Sequence, residues 1–334
     1  FIGNWSNFNN SIGSPIYFKE DRNLKLIPSY CGNDKWMRRY TAILGKEAIE
    51  LSIQKLQGER VSGMIYFRSE NKTYKTAGTW SKEEGLALQL KDDYGLNVAK
   101  LIAPKVSTSG FKGSVIYSPT DFINCKFGLN AKLNTGCLES SDYLSMYDLI
   151  FPKTNNAAFN NWIENLITTE AKKFSKKSNQ AYASLVDLTP EKRHHIRSNG
   201  WFEIGFFNDN LLSGILLLES TVDKRRAIPI NFDLTNNRPI LFEDIFRKEY
   251  DHEYFVEKVI RTEFTKHALY KNDETFRNWI KTVSFPHMIL LRNGIHFSSD
   301  FNSIYGRQGV TIPYYKLEGF VEKGSWVDFS FKKE

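Results

Sequence analysis

Apolar and polar residues alternate with a period of two along much of the first 140 residues. Ile49, Leu51 and Ile53 are separated by Glu50 and Ser52, and Leu86, Leu88 and Leu90 by Ala87 and Gln89. Successive side chains on a strand point to opposite faces, so both stretches predict strands with one face covered. Tyr40–Leu44, Val61–Phe67 and Tyr74–Trp80 predict further strands, with turns at Gln57-Gly58-Glu59 and Ser69–Lys72. Strands spaced roughly 10–12 residues apart with polar turns predict an antiparallel meander or small barrel.

Beyond Leu149 the period changes. Phe159, Trp162, Ile163, Leu166, Ile167, Ala171 and Phe174 recur every three or four residues, which predicts an amphipathic helix. Asn155-Asn156 can cap its start, and Lys172, Lys173, Lys176 and Lys177 are expected in its last turns, where cations complement the helix dipole. Strands are expected near Trp201–Asn208, Leu211–Thr221 and Ala227–Asp233. A second amphipathic helix carries Phe255, Val256, Val259, Ile260, Phe264 and Ala268, and Asp273–Ile280 adds a helical turn. Strands return at Met288–Arg292, Gly294–Ser298, Gly309–Pro313 and Trp326–Phe331. Arg292-Asn293-Gly294 predicts a type I′ hairpin, because Asn-Gly accepts positive φ. The chain therefore reads as α+β. Residues 1–38 form an N-terminal arm, 39–145 a β-rich domain, and 146–334 an antiparallel sheet packed with two or three helices.

The 334 residues are 41% hydrophobic, with 25 Phe, 16 Tyr and 7 Trp, ample for packed cores rather than disorder. The longest apolar runs, such as Ile215–Leu218 and Met288–Leu291, fall far short of the ~20 residues of a membrane-spanning helix. Net charge is +7. The basic residues are spread, with clusters at Lys192-Arg193-His194-His195 and Lys224-Arg225-Arg226. They read either as solubility or as a face for an anionic ligand; no nucleic-acid-binding signature accompanies them. Of the three cysteines, Cys31, Cys125 and Cys137, none has a metal-site spacing. Cys125 and Cys137 flank a Gly/Asn-rich stretch that reads as a hairpin, and either a disulfide joins them or all three thiols are free. The first residue, Phe1, reads as a truncation or as the end left by leader removal.

The C-terminal half carries an ordered series of motifs. These are Asn231-Phe232-Asp233-Leu234, Pro239-Ile240-Leu241-Phe242-Glu243-Asp244-Ile245-Phe246, Asn293-Gly294-Ile295-His296-Phe297, Tyr305-Gly306, and Val310-Thr311-Ile312-Pro313-Tyr314-Tyr315-Lys316-Leu317. In this order they resemble the DUF3298 family, the RsiV-like extracytoplasmic domain, which a DUF4163-type segment usually precedes. The resemblance spans roughly residues 150–325, and the β-rich N-terminal part is similar to modules of Bacteroidetes-type envelope proteins. Ser220–Ala227 departs from the family's Gly-Gly-Ala-His stretch. The resemblance implies an exported periplasmic or outer-membrane lipoprotein, with a lipid anchor in the precursor. It also implies that the domain binds a protein, in some relatives a lysozyme, or accompanies cell-wall glycan chemistry.

Catalytic constellations are sparse. No HExxH, GxSxG or phosphate-binding Gly-rich loop occurs. Adjacent His194 and His195 would point to opposite sides of a strand. Asp92-Asp93, Glu83-Glu84 and Glu243-Asp244 sit in turns, where neighbouring carboxylates seldom flank a cleft; Asp244 is expected to tether the short element around Ile245. His296, between Ile295 and Phe297, is expected to face solvent or a partner strand. Aromatic residues suit a binding face because flat rings bury area at low entropic cost. Of Tyr314-Tyr315, one ring should point in and the other out. The candidate binding residues are Tyr305, Tyr314, Tyr315, Lys224, Arg225 and Arg226, with no catalytic residue, no metal and no cofactor. The expected function is that of a non-catalytic exported envelope protein that binds a protein partner or peptidoglycan, not nucleic acid. A structural subunit of an envelope complex and an unrecognised glycan hydrolase are the alternatives.

Overall fold

The computed structural model describes residues 2–4, 15–17, 31, 35–44, 47–107, 109–139, 145–184 and 196–325. The cluster Lys192–His195 and the strand expected at Trp326–Phe331 lie outside them. In the expected N-terminal arm, β1 (Ile2–Asn4) pairs antiparallel with β2 (Pro15–Tyr17).

Eight strands follow: β3 (Trp36–Leu44), β4 (Glu47–Gln57), β5 (Arg60–Phe67), β6 (Lys72–Ser81), β7 (Gly85–Lys91), β8 (Asn97–Val106), β9 (Gly110–Ser118) and β10 (Asp121–Glu139). Each pairs antiparallel with the next, and β10 closes the ring by pairing with both β9 and β3. The result is an eight-stranded barrel, a closure that leaves no sheet edge. Its interior is filled by the residues that alternation marks, among them Ile49, Leu51, Ile53, Leu86, Leu88 and Leu90. Gly58 supplies the left-handed conformation of the β4–β5 turn, with φ +52.

β10 is a single strand of 19 residues. Its last part leaves the barrel and pairs with β11 (Ser145–Lys153). Cys125 and Cys137 therefore do not flank a hairpin. Twelve residues apart on one extended strand, their Cα atoms are separated by about 40 Å, far beyond disulfide reach. Cys137 is instead joined to Cys31, with Cα atoms 5.5 Å apart, while Cys125 is a free thiol inside the barrel.

The second sheet continues through β12 (Ile196–Phe207), β13 (Leu211–Ser220), β14 (Arg226–Asp233) and β15 (Arg238–Pro239). β11 and β12 run parallel, and α1 (Ala157–Ser184) makes the crossover that a parallel pair needs. Asn156 caps α1 by accepting the Phe159 amide at 2.8 Å. The expected apolar face is the buried one: Phe159, Ile163, Ile167, Ala171 and Phe174 lie on the sheet. The helix runs on to Ser184, so Lys172–Lys177 occupy its middle rather than its last turn.

A third sheet, β16 (His287–Leu290), β17 (Gly294–Ser298) and β18 (Gly309–Pro313), covers the other face of β13 and β14. Burial on both sides explains why Leu211–Leu218 reads as an unbroken buried run rather than an alternating one. The outer side of the third sheet packs on α2 (His252–Phe255), α3 (Arg261–Phe264), α4 (Ala268–Asn272) and α5 (Glu274–Thr282). A π-helical turn at Val256–Ile260 joins α2 to α3. Its wider turn lets Phe255 and Ile260, five apart, share the buried face with Phe264. The C-terminal half thus holds two sheets, one of them mixed, on an architecture that is mostly antiparallel α+β.

The β16–β17 connection is not a type I′ turn, since neither Asn293 nor Gly294 has positive φ. Gly294 is required by strand approach: a Cβ there would lie 2.3 Å from the Ile312 carbonyl. Asn293 is buried and turns to the barrel. It accepts from Thr73 Oγ1 at 2.5 Å and donates to the Asn71 carbonyl at 2.9 Å.

Candidate binding cleft

α1, the parallel pair β11–β12 and the start of β14 enclose a shallow cleft. Its floor is apolar, with Tyr147, Leu149, Phe174 and Leu218, and its rim carries Glu170, Lys173, Lys177, Asp223, Lys224 and Arg226. The hydroxyls of Ser198 and Ser220 also line it. Tyr147 and Phe174 meet edge to face, with ring centroids 6.2 Å apart.

Glu170 organises the rim. It lies on the buried side of α1, 4% exposed, and receives Lys173 Nζ and Arg226 Nη2, both at 2.7 Å. Burial works to raise its carboxyl, but these two hydrogen bonds overcome it and hold it below the usual range. Asp223 is bonded by Lys177 and lies 3.6 Å from Arg226 Nε; the lysine's hydrogen bond holds its carboxyl low. Four cations around two carboxylates leave an excess of two positive charges. These ion pairs favour the ionised form of both carboxylates, whereas glycoside hydrolysis needs one protonated general acid.

The sequence-predicted residues divide among separate places. Lys224 and Arg226 line the cleft. Arg225 points elsewhere, pairing with Glu219 at 2.6 Å and lying over the Phe301 ring at 5.6 Å. Tyr305 stacks on Trp279 with centroids 5.3 Å apart, and its hydroxyl donates to Asp273 at 3.3 Å. Tyr314 points inward and donates to the Leu291 carbonyl at 2.7 Å, whereas Tyr315 is 65% exposed. Glu170, Lys173, Lys177 and Asp223 were not among the predicted residues. One signal for them was present: Glu170 falls on the apolar face of α1, where an ionised group needs a partner.

The other carboxylate pairs separate. Asp92 Oδ1 accepts the Tyr94 and Leu96 amides within its own turn, while Asp93 bonds Thr311 on β18. Asp244 accepts the Leu241 amide and pairs with Arg238 at 2.6 Å, tethering the turn before Ile245. Cys31, Glu139 and Asp148 lie within 4.8 Å of one another. The Cys31 sulfur is held in the disulfide and Asp148 by Arg197 at 3.1 Å, so this group offers no set of open metal ligands. Among the described residues no helix is long and apolar enough to cross a membrane.

No protein-family model matches the chain, and no curated protein does. Among solved structures it is similar to a DUF3298-family member from Bacteroides fragilis NCTC 9343. That match has 13% identity and a TM-score of 0.43, over 60% of this chain and 98% of that one. It is also similar to a DUF3298-family protein from Pseudomonas aeruginosa PAO1, at 17% identity and a TM-score of 0.42, over 57% and 95% of the two chains. Both of these solved structures are of DUF3298-family proteins.

Proposed function

We propose that this chain is a non-catalytic, exported cell-envelope binding protein whose α1–β14 cleft holds an anionic or sugar group of a cell-wall glycan or protein partner. The carrying observation is the cleft itself: an apolar, ring-bearing floor with serine hydroxyls, beneath a rim of ion-paired Lys, Arg, Asp and Glu with net positive charge. Such a site offers an aromatic ring to a sugar face and oriented charged donors to its substituents. The segment at which the sequence departs from the DUF3298 pattern, Ser220–Ala227, supplies Ser220, Asp223, Lys224 and Arg226 to that rim.

The test is co-sedimentation with purified peptidoglycan, alongside inhibition of a lysozyme. Affinity for the wall that falls about a hundredfold or more in a Lys224→Ala/Arg226→Ala double variant supports the glycan arm; each lost charge-assisted contact is worth roughly 1.5–3 kcal/mol. Dose-dependent lysozyme inhibition lost in the same variant supports the protein arm. Absence of both rejects the cleft as the binding site. Release of soluble fragments from the wall, abolished by Glu170→Gln or Asp223→Asn, would overturn the non-catalytic reading.

A further inference from the structure

The barrel docks on the C-terminal half through polar contacts centred on buried histidine. Lys75 on β6 and Asp93 in the β7–β8 turn reach His296 on β17 and Thr311 on β18. Tyr94, from the same turn, packs its ring edge to face on His267, with centroids 4.9 Å apart. We propose that this junction is a proton-operated latch: protonation of His296 releases the β7–β8 turn and β6 from the third sheet while the barrel stays folded.

The hydrogen bonds admit one protonation state of His296. Thr311 Oγ1 donates its proton to Asp93 Oδ1 at 3.0 Å. The same oxygen lies 3.2 Å from His296 Nδ1, so it must accept from an Nδ1–H. Nε2 is then the bare nitrogen, and it faces Lys75 Nζ at 3.5 Å, whose N–H groups can only donate. Lys75 to His296 to Thr311 to Asp93 is a one-way series that requires neutral imidazole. An imidazolium would set an N–H against the Lys75 amine head in a site where His296 is 3% exposed.

Two cations and one carboxylate face His296. From the barrel come Lys75 and Asp93, whose Oδ1 is 3.8 Å from Nδ1 but already bonded to Thr311. From the turn before β18 comes Arg307, which pairs with Glu203 of β12 at 2.9 Å. β16 places uncharged Ile289 opposite His296. Burial, with Lys75 and Arg307 adding to it, holds His296 well below the ordinary histidine range. His267 is lowered by burial, with Asp92 acting weakly against it, and its Nδ1 must stay bare to accept the Leu269 amide at 3.1 Å.

Both histidines have depressed values. The stability they contribute is complete above the ordinary 6.5 and is lost as pH falls from there through their folded values. Lys75, lowered by burial, acts in the same sense from the alkaline side. Asp93, raised by burial, acts oppositely and offsets part of the uptake at the imidazoles at the acid end of this range. The barrel, Trp36–Glu139, contains no histidine.

Hydrogen exchange on the full chain tests the latch. The Thr311 amide, bonded to Asp93, and the Ile204 amide, bonded to the barrel's Gln54, report docking. Between pH 7.5 and 5 their protection, corrected for intrinsic rates, should fall about tenfold while the Leu51 and Ile53 amides keep theirs. Unchanged protection, or loss in step with the barrel amides, overturns the proposal. His296→Gln removes one of the two imidazoles and should weaken the Thr311 response; a full response in that variant also overturns it. Nitrogen NMR of the native imidazole gives an answer that needs no variant. The proposal requires neutral, Nδ1-protonated His296 at pH 7, and an Nε2-protonated or doubly protonated ring refutes it.

Discussion

Replacing Asn231 by alanine tests what the Asn-Phe-Asp motif is for. Asn231 is 6% exposed and sits where the second and third sheets meet. Its Nδ2 donates to the Met288 carbonyl at 2.8 Å, and its Oδ1 accepts from Ser213 Oγ at 2.7 Å and from the Leu290 amide at 3.0 Å. The Leu290 amide has a second acceptor, Ser213 Oγ at 2.8 Å, so it survives the change. The Met288 carbonyl and the Ser213 hydroxyl lose their Asn231 partner. A buried polar group left unsatisfied costs about 1–3 kcal/mol, so the variant should lose about 2–6 kcal/mol. Asn231→Asp should be worse than alanine, because it aims a carboxylate oxygen at the Met288 carbonyl. Urea denaturation followed by tryptophan fluorescence measures both. A loss under about 0.5 kcal/mol in Asn231→Ala, or an aspartate variant more stable than the alanine one, would refute the clamp.

Three further outcomes are expected. Reduction or Cys31→Ser should cost about 4–5 kcal/mol, because the disulfide spans 106 residues, whereas reductant should still destabilise Cys125→Ser fully; paired denaturation curves with and without reductant decide. Gly294→Ala should lose about 1–3 kcal/mol, because its Cβ would meet the Ile312 carbonyl at 2.3 Å, and thermal melting reads the effect. Arg226→Ala removes one partner of buried Glu170; with Arg226 40% exposed the loss should be near 1 kcal/mol. Since Glu170 is depressed, that difference should be full above its ordinary 4.5 and vanish as pH falls through its folded value, as denaturation at a series of pH values would show.

Much of the candidate site was hidden from one-dimensional reading. Lys224 and Arg226 stand out as a basic run, but Arg225 between them faces Glu219 and Phe301, and the run does not say which members share a cleft. Lys173 and Lys177 read as helix-dipole partners, yet in mid-helix they bond carboxylates on the cleft rim. Asn293-Gly294 reads as a turn signal. In place, Asn293 docks the barrel and Gly294 permits strand contact.

The local elements are legible in the chain itself. Period-two alternation marks the barrel strands, a period near 3.6 marks α1, and Asn156 and Asp244 bond amides of their own neighbourhoods. These follow from sterics and hydrogen bonds between residues close in the chain. What covers each face depends on contacts distant in the chain: the parallel β11–β12 pair, the union of Cys31 with Cys137, and the burial of His296 beneath Lys75. The periodicity of a strand says that its apolar face is covered and is silent about a polar face. His296 lies on such a face, and only the arrival of a barrel from 200 residues upstream turns an outward histidine into a buried one.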